Sequence, residues 1–244
     1  MLISGHKSDK GLARENNEDA LYVNDKEGVY VLADGMGGHE GGEIASNIAV
    51  NTVAKILSSS ILIPQQKTLE DIIHDALNRA NDEIISYRKN RNELKDMATT
   101  IVVTTFHDDT ANYIHLGDSR AYLFKKNDNL IQLTTDDSLV MEMVKKGLIL
   151  KDDLQVHSLR NVVTRYIGTD NLVIPEIHQC EIETNDCVML CSDGLTNMLR
   201  EEEIKSILGG NSSMGPQDVC NLLVDSANNN GGEDNISVIV IQKK

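Results

Sequence analysis

Apolar and polar positions divide this chain into short strands and amphipathic helices. Residues 20–24 and 29–33 form two apolar runs separated by Asp25-Lys26-Glu27-Gly28. That separator is a polar turn ending in Gly, the usual composition of a hairpin loop of this length. A helical period follows, with Ile44, Ala45, Ile48, Ala49, Val53, Ile56 and Leu57 on one face, and then a loop from Ser58 to Lys67. Thr68-Leu69-Glu70-Asp71 has the form of a capping box, and it opens a second helical stripe through Leu69, Ile72, Ile73, Ala76, Leu77, Ala80 and Ile84. β-branched residues then mark strands over 99–106, 111–117, 120–124 and 130–134, with Asp118-Ser119 as the hairpin tip between the second and third. Residues 138–170 are mostly polar and helical and interrupt this series. Strand character returns over 172–183 and 187–192, followed by helices over 201–208 and 216–227 and a last strand over 236–242.

Strands joined by tight turns pair antiparallel, and two helix pairs at separated points cover two outer faces. The expected fold is an α+β layered sandwich. A dinucleotide-binding fold is excluded because helices do not alternate with single strands. Gly35-Met36-Gly37-Gly38 is not G-x-G-x-x-G, and no phosphate-loop Lys follows it.

Acidic residues stand at the ends of the apolar strands. Asp34 closes Val29–Ala33, Asp193 follows Cys187–Cys191, Asp234 precedes Ile236–Ile241, and Asp19 precedes Leu21-Tyr22-Val23. If residue 24 faces residue 29 across the first hairpin, Asp19 faces Asp34. Directly opposed residues have Cβ atoms about 5 Å apart, and like charges at that spacing repel. Antiparallel pairing brings Asp193 and Asp234 together in the same way. Each Asp alone reads equally well as a turn or cap residue. Four together, flanked by Gly, read as oxygen ligands for hard cations such as Mg²⁺ or Mn²⁺.

The 244 residues suffice for one large domain, and no disordered linker divides them. A net charge of −15 argues against a nucleic-acid surface or an anionic membrane as partner. Cys180, Cys187, Cys191 and Cys220 form no CxxC pair and have no His at zinc-finger spacing. Cys187 and Cys191 share one strand face and read as small core residues, and free thiols point to a reducing compartment. With no apolar leader and no stretch of transmembrane length, the expectation is a cytoplasmic protein.

Two divalent ions bridged by water make a hydroxide nucleophile near neutral pH and neutralise a phosphoryl group under attack. Such chemistry needs no protein nucleophile, and neither GxSxG nor CxxxxxR is present. The Gly35 carbonyl can add a ligand where a side chain would crowd the ions. Arg14, five residues before Asp19, can hold phosphate oxygens at two points or form a surface ion pair. Asp118 is a further ligand candidate or a simple turn Asp. His39, in the Gly-rich acidic loop, can donate a proton to a leaving alkoxide or be an exposed loop residue.

Arg14…Asn17-Glu18-Asp19, Asp34-Gly35-Met36-Gly37-Gly38, Ala98-Thr99-Thr100, Gly117-Asp118-Ser119-Arg120, Ser192-Asp193-Gly194-Leu195 and Gly232-Glu233-Asp234-Asn235 occur in order along the chain. This set resembles the metal-dependent protein phosphatases of the protein phosphatase 2C type, in their compact bacterial form, over residues 1–242. The resemblance implies one domain, a four-layer α-β-β-α sandwich of two antiparallel sheets flanked by helix pairs, with a dimetal site at one end and a flap insertion over about 138–170. It implies a monomer that hydrolyses phosphoserine and phosphothreonine on proteins and opposes a Ser/Thr protein kinase. By position, Asp34 would bridge two Mn²⁺ or Mg²⁺ ions. Asp193 and Asp234 would complete one, and Asp19, Glu18 and the Gly35 carbonyl the other. Asp118 with Asp193 would hold a weaker third, and Arg14 would bind phosphate. The chain departs from the family pattern at Ser158, where Pro is usual, and at Asp137, where His is usual. Met36 stands where eukaryotic members carry His.

A catalytically silent domain on the same fold is a competing reading, opposed by the intact acidic set. An acidic calcium-binding protein is another, opposed by the absence of a DxDxDG loop.

Overall fold

The computed structural model describes residues 1–37, 41–62, 67–210 and 214–244. The elements in chain order are β1 (Leu2–Asp9), β2 (Asp19–Asn24), β3 (Val29–Met36), α1 (Gly41–Leu62), α2 (Leu69–Arg88), β4 (Ala98–Thr99), β5 (Ile101–His107), β6 (Thr110–Leu116), β7 (Arg120–Lys125) and β8 (Asn129–Gln132). They continue with α3 (Leu139–Lys145), β9 (His178–Glu181), β10 (Cys187–Cys191), α4 (Asp193–Thr196), α5 (Glu201–Gly209), α6 (Pro216–Asn229) and β11 (Ile236–Lys243). One sheet has the order β1-β11-β10-β7-β8 and the other β2-β3-β5-β6-β9, with β4 also pairing with β3. Every pairing is antiparallel.

Three apolar layers hold the sandwich together, and strand alternation sorts residues among them. Val29, Val31 and Ala33 of β3 pack with Ala49, Val53, Ile73, Leu77 and Ile84 of α1 and α2. Tyr30 and Leu32 of the same strand turn to the other side and meet Val188, Leu190, Ile239 and Ile241 of the facing sheet. Cys187, Met189 and Cys191 point away from that layer, to Ile204, Cys220, Leu223 and Val224 of α5 and α6. All four cysteines are free, and the two on β10 are core residues as their spacing implies. The layers are therefore helices, sheet, sheet, helices, as expected. Among the described residues no helix is long and apolar enough to cross a membrane.

Several elements differ from the sequence expectation. Strand β1 is not legible in the pattern because it is an edge strand, paired with β11 alone among the described strands and mostly polar after Ile3. Helix α1 continues to Leu62, past the expected loop start at Ser58. The strand expected over 99–106 is interrupted at Thr100, whose hydroxyl replaces a ladder carbonyl by accepting the Asp34 N–H at 3.0 Å. Of the expected strand over 172–183 only β9 forms; Leu172, Ile174 and Ile177 pack on the helix-side core without pairing as a strand. Residues 138–170 are largely irregular, with α3 and a 3-10 stretch over Lys151–Val156 as their helical parts. The capping box at Thr68 forms as expected, with Asp71 N–H donating to the Thr68 hydroxyl at 3.1 Å.

The central layer sets stability. Leu190 is fully buried between the sheets, so Leu190→Ala should cost about 2–5 kcal/mol, read as a lower urea midpoint. Leu69→Ala, at a position 36% exposed, should cost far less; equal shifts would show that the inter-sheet layer is not what the fold depends on.

Candidate active site

Alternation along four strands delivers polar side chains to one end of the central layer. Tyr30 and Leu32 face between the sheets, so Asp34 is the next residue on that side. Asp19 lies directly opposite Asp34 in the β2–β3 register, as hairpin counting requires. In the facing sheet the same alternation takes Val188 and Leu190 to Ser192, and Ile241 and Ile239 to Ser237. The Ser192 hydroxyl donates to Asp19 Oδ2 at 2.9 Å and accepts the Ser237 N–H at 2.9 Å, stitching the two sheets where the apolar layer ends.

The β10–β11 ladder runs out at Ser192, whose N–H reaches the Ser237 carbonyl at 3.1 Å. Asp193 then begins α4, a short helix with no signal in the sequence pattern. Asp193 and Asp234 still end close enough for their charges to act on each other. Asp118 is not at a hairpin tip. β6 and β7 belong to different sheets, so Gly117-Asp118-Ser119 is a corner between layers. Gly117 makes this corner with φ +111°, where a Cβ would lie 2.6 Å from the Thr100 side chain. The corner turns Asp118 into the same mouth, beside Asp193.

Arg14 Nη2 donates to Asp234 Oδ2 at 2.7 Å, an ion pair at the rim with Arg14 about half exposed. Glu18 is half-buried next to it, and the Glu18 carbonyl accepts the Gly35 N–H at 3.1 Å. Gly35 sits where any Cβ would lie 2.1 Å from the Gly42 carbonyl, so only Gly lets α1 start against the end of β3. His39 lies outside the described residues.

The carboxylates disturb one another. Burial, and after it the charges of Asp193 and Asp234, push Asp19 up to about 7 despite hydrogen bonds from Ser237 and Ser192. Asp34 is held well above the usual carboxylate range by dehydration and by Asp19, Asp193 and Asp118. Asp118 rises to about 7 through burial and then Asp193 and Asp136. Asp193 is raised by burial and Asp234, against hydrogen bonds with Asn197 and Asp34. Glu18 is raised by burial, partly offset by Arg14. Asp19 Oδ1 is buried with no hydrogen-bond partner. Among the described residues no three His, Cys, Asp or Glu side chains are posed as a ready metal cage. Asp234 is turned to Arg14, and Asp193 receives Asn197 Nδ2 at 3.0 Å.

Some supporting residues carry no role in the sequence reading. Asn235 donates to the Lys10 and Asn16 carbonyls at 2.9 and 2.8 Å and accepts the Glu18 N–H at 2.8 Å, tying the 10–18 loop to the start of β11. The Thr100 and Ser119 hydroxyls bond at 2.7 Å behind Asp34 and Asp118. Arg120 grips both oxygens of Asp136 at 2.8 and 2.7 Å under the Asp118 corner. Only the position of these polar residues beside each candidate Asp marks them in the sequence.

The chain matches the protein phosphatase 2C family over residues 12–220. It is 33% identical over 240 residues to the serine/threonine phosphatase Stp of Listeria innocua serovar 6a, covering 97% of this chain and 94% of that one. The serine/threonine phosphatase of S. agalactiae superposes with a TM-score of 0.91 at 31% identity, covering both chains in full. The catalytic domain of the serine/threonine protein phosphatase PstP, in complex with two manganese ions, superposes with a TM-score of 0.86 at 30% identity over 99% of this chain and 97% of that one. Sequence identity and superposition agree, and the chain belongs to the protein phosphatase 2C family as a protein serine/threonine phosphatase.

Proposed function

We propose that the acidic mouth is the catalytic centre and that it works with divalent cations, Mn²⁺ or Mg²⁺. The observation that carries this reading is Asp19 facing Asp34 at the buried end of the central layer, with Asp19 Oδ1 left without a partner. A buried carboxylate oxygen without a donor is costly, and opposed carboxylates add repulsion. The donors are all oxygens, which suits hard cations, and Mg²⁺ in particular keeps several waters and needs only one or two carboxylates. The two manganese ions of the PstP complex support the same reading.

Asp34 would serve two ions, Asp193 and Asp234 one of them, and Asp19, Glu18 and the Gly35 carbonyl the other. Asp118 with Asp193 would hold a weaker third. When bound, such ions supply a water of lowered pKa and neutralise phosphoryl charge. The protein supplies the rest. Ser192 and Thr100 fix the aim of Asp19 and Asp34, and Arg14 at the rim exchanges Asp234 for the phosphate oxygens of a phosphoserine or phosphothreonine. His39 is assigned the proton for the leaving alkoxide. The reading extends to phosphorylated protein substrates, a cognate Ser/Thr protein kinase, a monomeric state and a cytoplasmic location. The acidic surface and the lack of a membrane-spanning helix among the described residues are in keeping with the last.

Chelator-treated protein should not turn over a phosphothreonine peptide, and Mn²⁺ should restore it. Asp34→Ala and Asp193→Ala should each lower kcat/KM by more than about 100-fold, since even groups that only orient a ligand are worth up to that much. Full turnover without metal would refute the mechanism.

Arg14→Ala should raise KM for the phosphopeptide, with Lys rescuing only in part because an ammonium lacks the planar two-point contact. Mn²⁺ affinity should survive. KM and kcat both within about twofold of wild type would reduce Arg14 to a surface ion pair.

Asp19 and Asp118 have pKa values of about 7 in the folded, metal-free protein, against about 3.9 for an unfolded Asp. The folded state therefore binds protons that the unfolded state has lost between about pH 4 and pH 7, and stability falls as pH rises through that window. Cations relieve the penalty only once the groups ionise. The gain in Tm on adding Mn²⁺ to chelated protein should be larger near pH 7.5 than near pH 5; a pH-independent gain would contradict the assignment.

A further inference from the structure

Asp137, where the family pattern usually has His, fastens the neck of the 138–170 insertion. It is 4% exposed. Its Oδ1 accepts from Arg165 Nη2, near the far end of the insertion. Its Oδ2 accepts the Gly117 N–H at 3.3 Å and lies 3.9 Å from His115 Nε2. Its backbone adds two bonds: the N–H donates to the Gly117 carbonyl at 2.9 Å, and the carbonyl accepts the Thr164 N–H at 2.7 Å. Beyond it, Ser138 pairs with Val163, and the Leu139 N–H reaches the Val162 carbonyl at 2.8 Å.

One residue thus holds three segments: both ends of the insertion and the peptide before Asp118. His115 Nε2 is bonded to the Thr135 carbonyl at 2.8 Å. A carbonyl only accepts, so that nitrogen carries its proton toward Thr135, and Arg165 is the cation that compensates Asp137. A buried carboxylate that loses such a partner is strongly penalised. Gly117, held on both its N–H and its carbonyl by Asp137, is the positive-φ residue that aims Asp118.

We propose that Asp137 is a positioning residue that couples the insertion to the metal mouth. With Arg165 it clamps the neck of the insertion to Gly117, so the seating of the insertion and the aim of Asp118 are set together. The coupling rests on the reading of Asp118 as a cation ligand.

The test compares Asp137→Asn, Arg165→Lys and Asp118→Asn in the full chain. Amide hydrogen exchange over 117–120 and 137–165 is followed in chelated protein, with Mn²⁺ titrations by calorimetry and by activity on a phosphothreonine peptide. Asp137→Asn should speed exchange at the neck by about tenfold or more, the worth of one hydrogen bond to a charged group. It should also raise the Mn²⁺ concentration for half-maximal rate severalfold, with kcat recovering at high Mn²⁺. Arg165→Lys, which keeps the charge but loses the fork, should do both to a smaller degree, and it carries the test alone should Asp137→Asn fail to fold. Asp118→Asn should raise the Mn²⁺ requirement without loosening the neck. Faster exchange in Asp137→Asn with an unchanged Mn²⁺ requirement, or unchanged exchange, overturns the coupling. An unchanged Mn²⁺ requirement in Asp118→Asn defeats the ligand reading of Asp118, and the coupling falls with it.

Discussion

The repulsion between carboxylates at the end of the central layer is the constraint around which this structure is arranged. Asp19 and Asp34 are forced together by a hairpin register that cannot slip without exposing the apolar residues behind them. Asp193, Asp234 and Asp118 arrive from the other sheet and from the corner between sheets. Burial, and after it their mutual field, raises the pKa values of Asp19, Asp34, Asp118 and Asp193. A fold that tolerates this must be stiff, and the stiffness comes from the apolar layer directly beneath.

That layer explains why hydroxyl side chains accompany the acids. At the rim the sheets can no longer be joined by Val and Leu without sealing the mouth. Ser192 takes over, bonding Asp19 in one sheet and the Ser237 backbone in its own. Thr100 accepts the Asp34 backbone N–H within its own sheet and bonds the Ser119 hydroxyl at the corner to the other. Each of these residues satisfies a polar group that would otherwise be buried unpaired. Short side chains at the strand ends thus hold Asp19 by its carboxylate and Asp34 by its backbone.

The insertion is attached differently. It joins the sandwich through a polar neck at Asp137, and the cleft it covers is lined by Asp118 and Asp193 on one side and Val140, Met141 and Arg160 on the other. Ile167 near its far end is buried in the helix-side core and pairs with Thr99, so the charged bonds of Asp137 add a polar hold beside Asp118 to an apolar one.

The Asp19–Asp34 pair was legible in the sequence because hairpin register is local: a turn of known length determines which residues face each other. The two helical stripes, the capping box at Thr68 and the core placement of Cys187 and Cys191 were legible for the same reason, since each follows from a period of 3.6 or 2 within one element. Strand β1 was not, because an edge strand packed on one side needs little apolar patterning. Nor was the corner at Asp118. Two strands separated by three residues look like a hairpin in sequence, and only the partners chosen by β6 and β7 reveal that they lie in different sheets. The roles of Ser192, Asn235 and Asp137 were likewise decided by tertiary structure. Their partners lie 173, 219 and 28 residues away, and no local periodicity encodes a contact of that range.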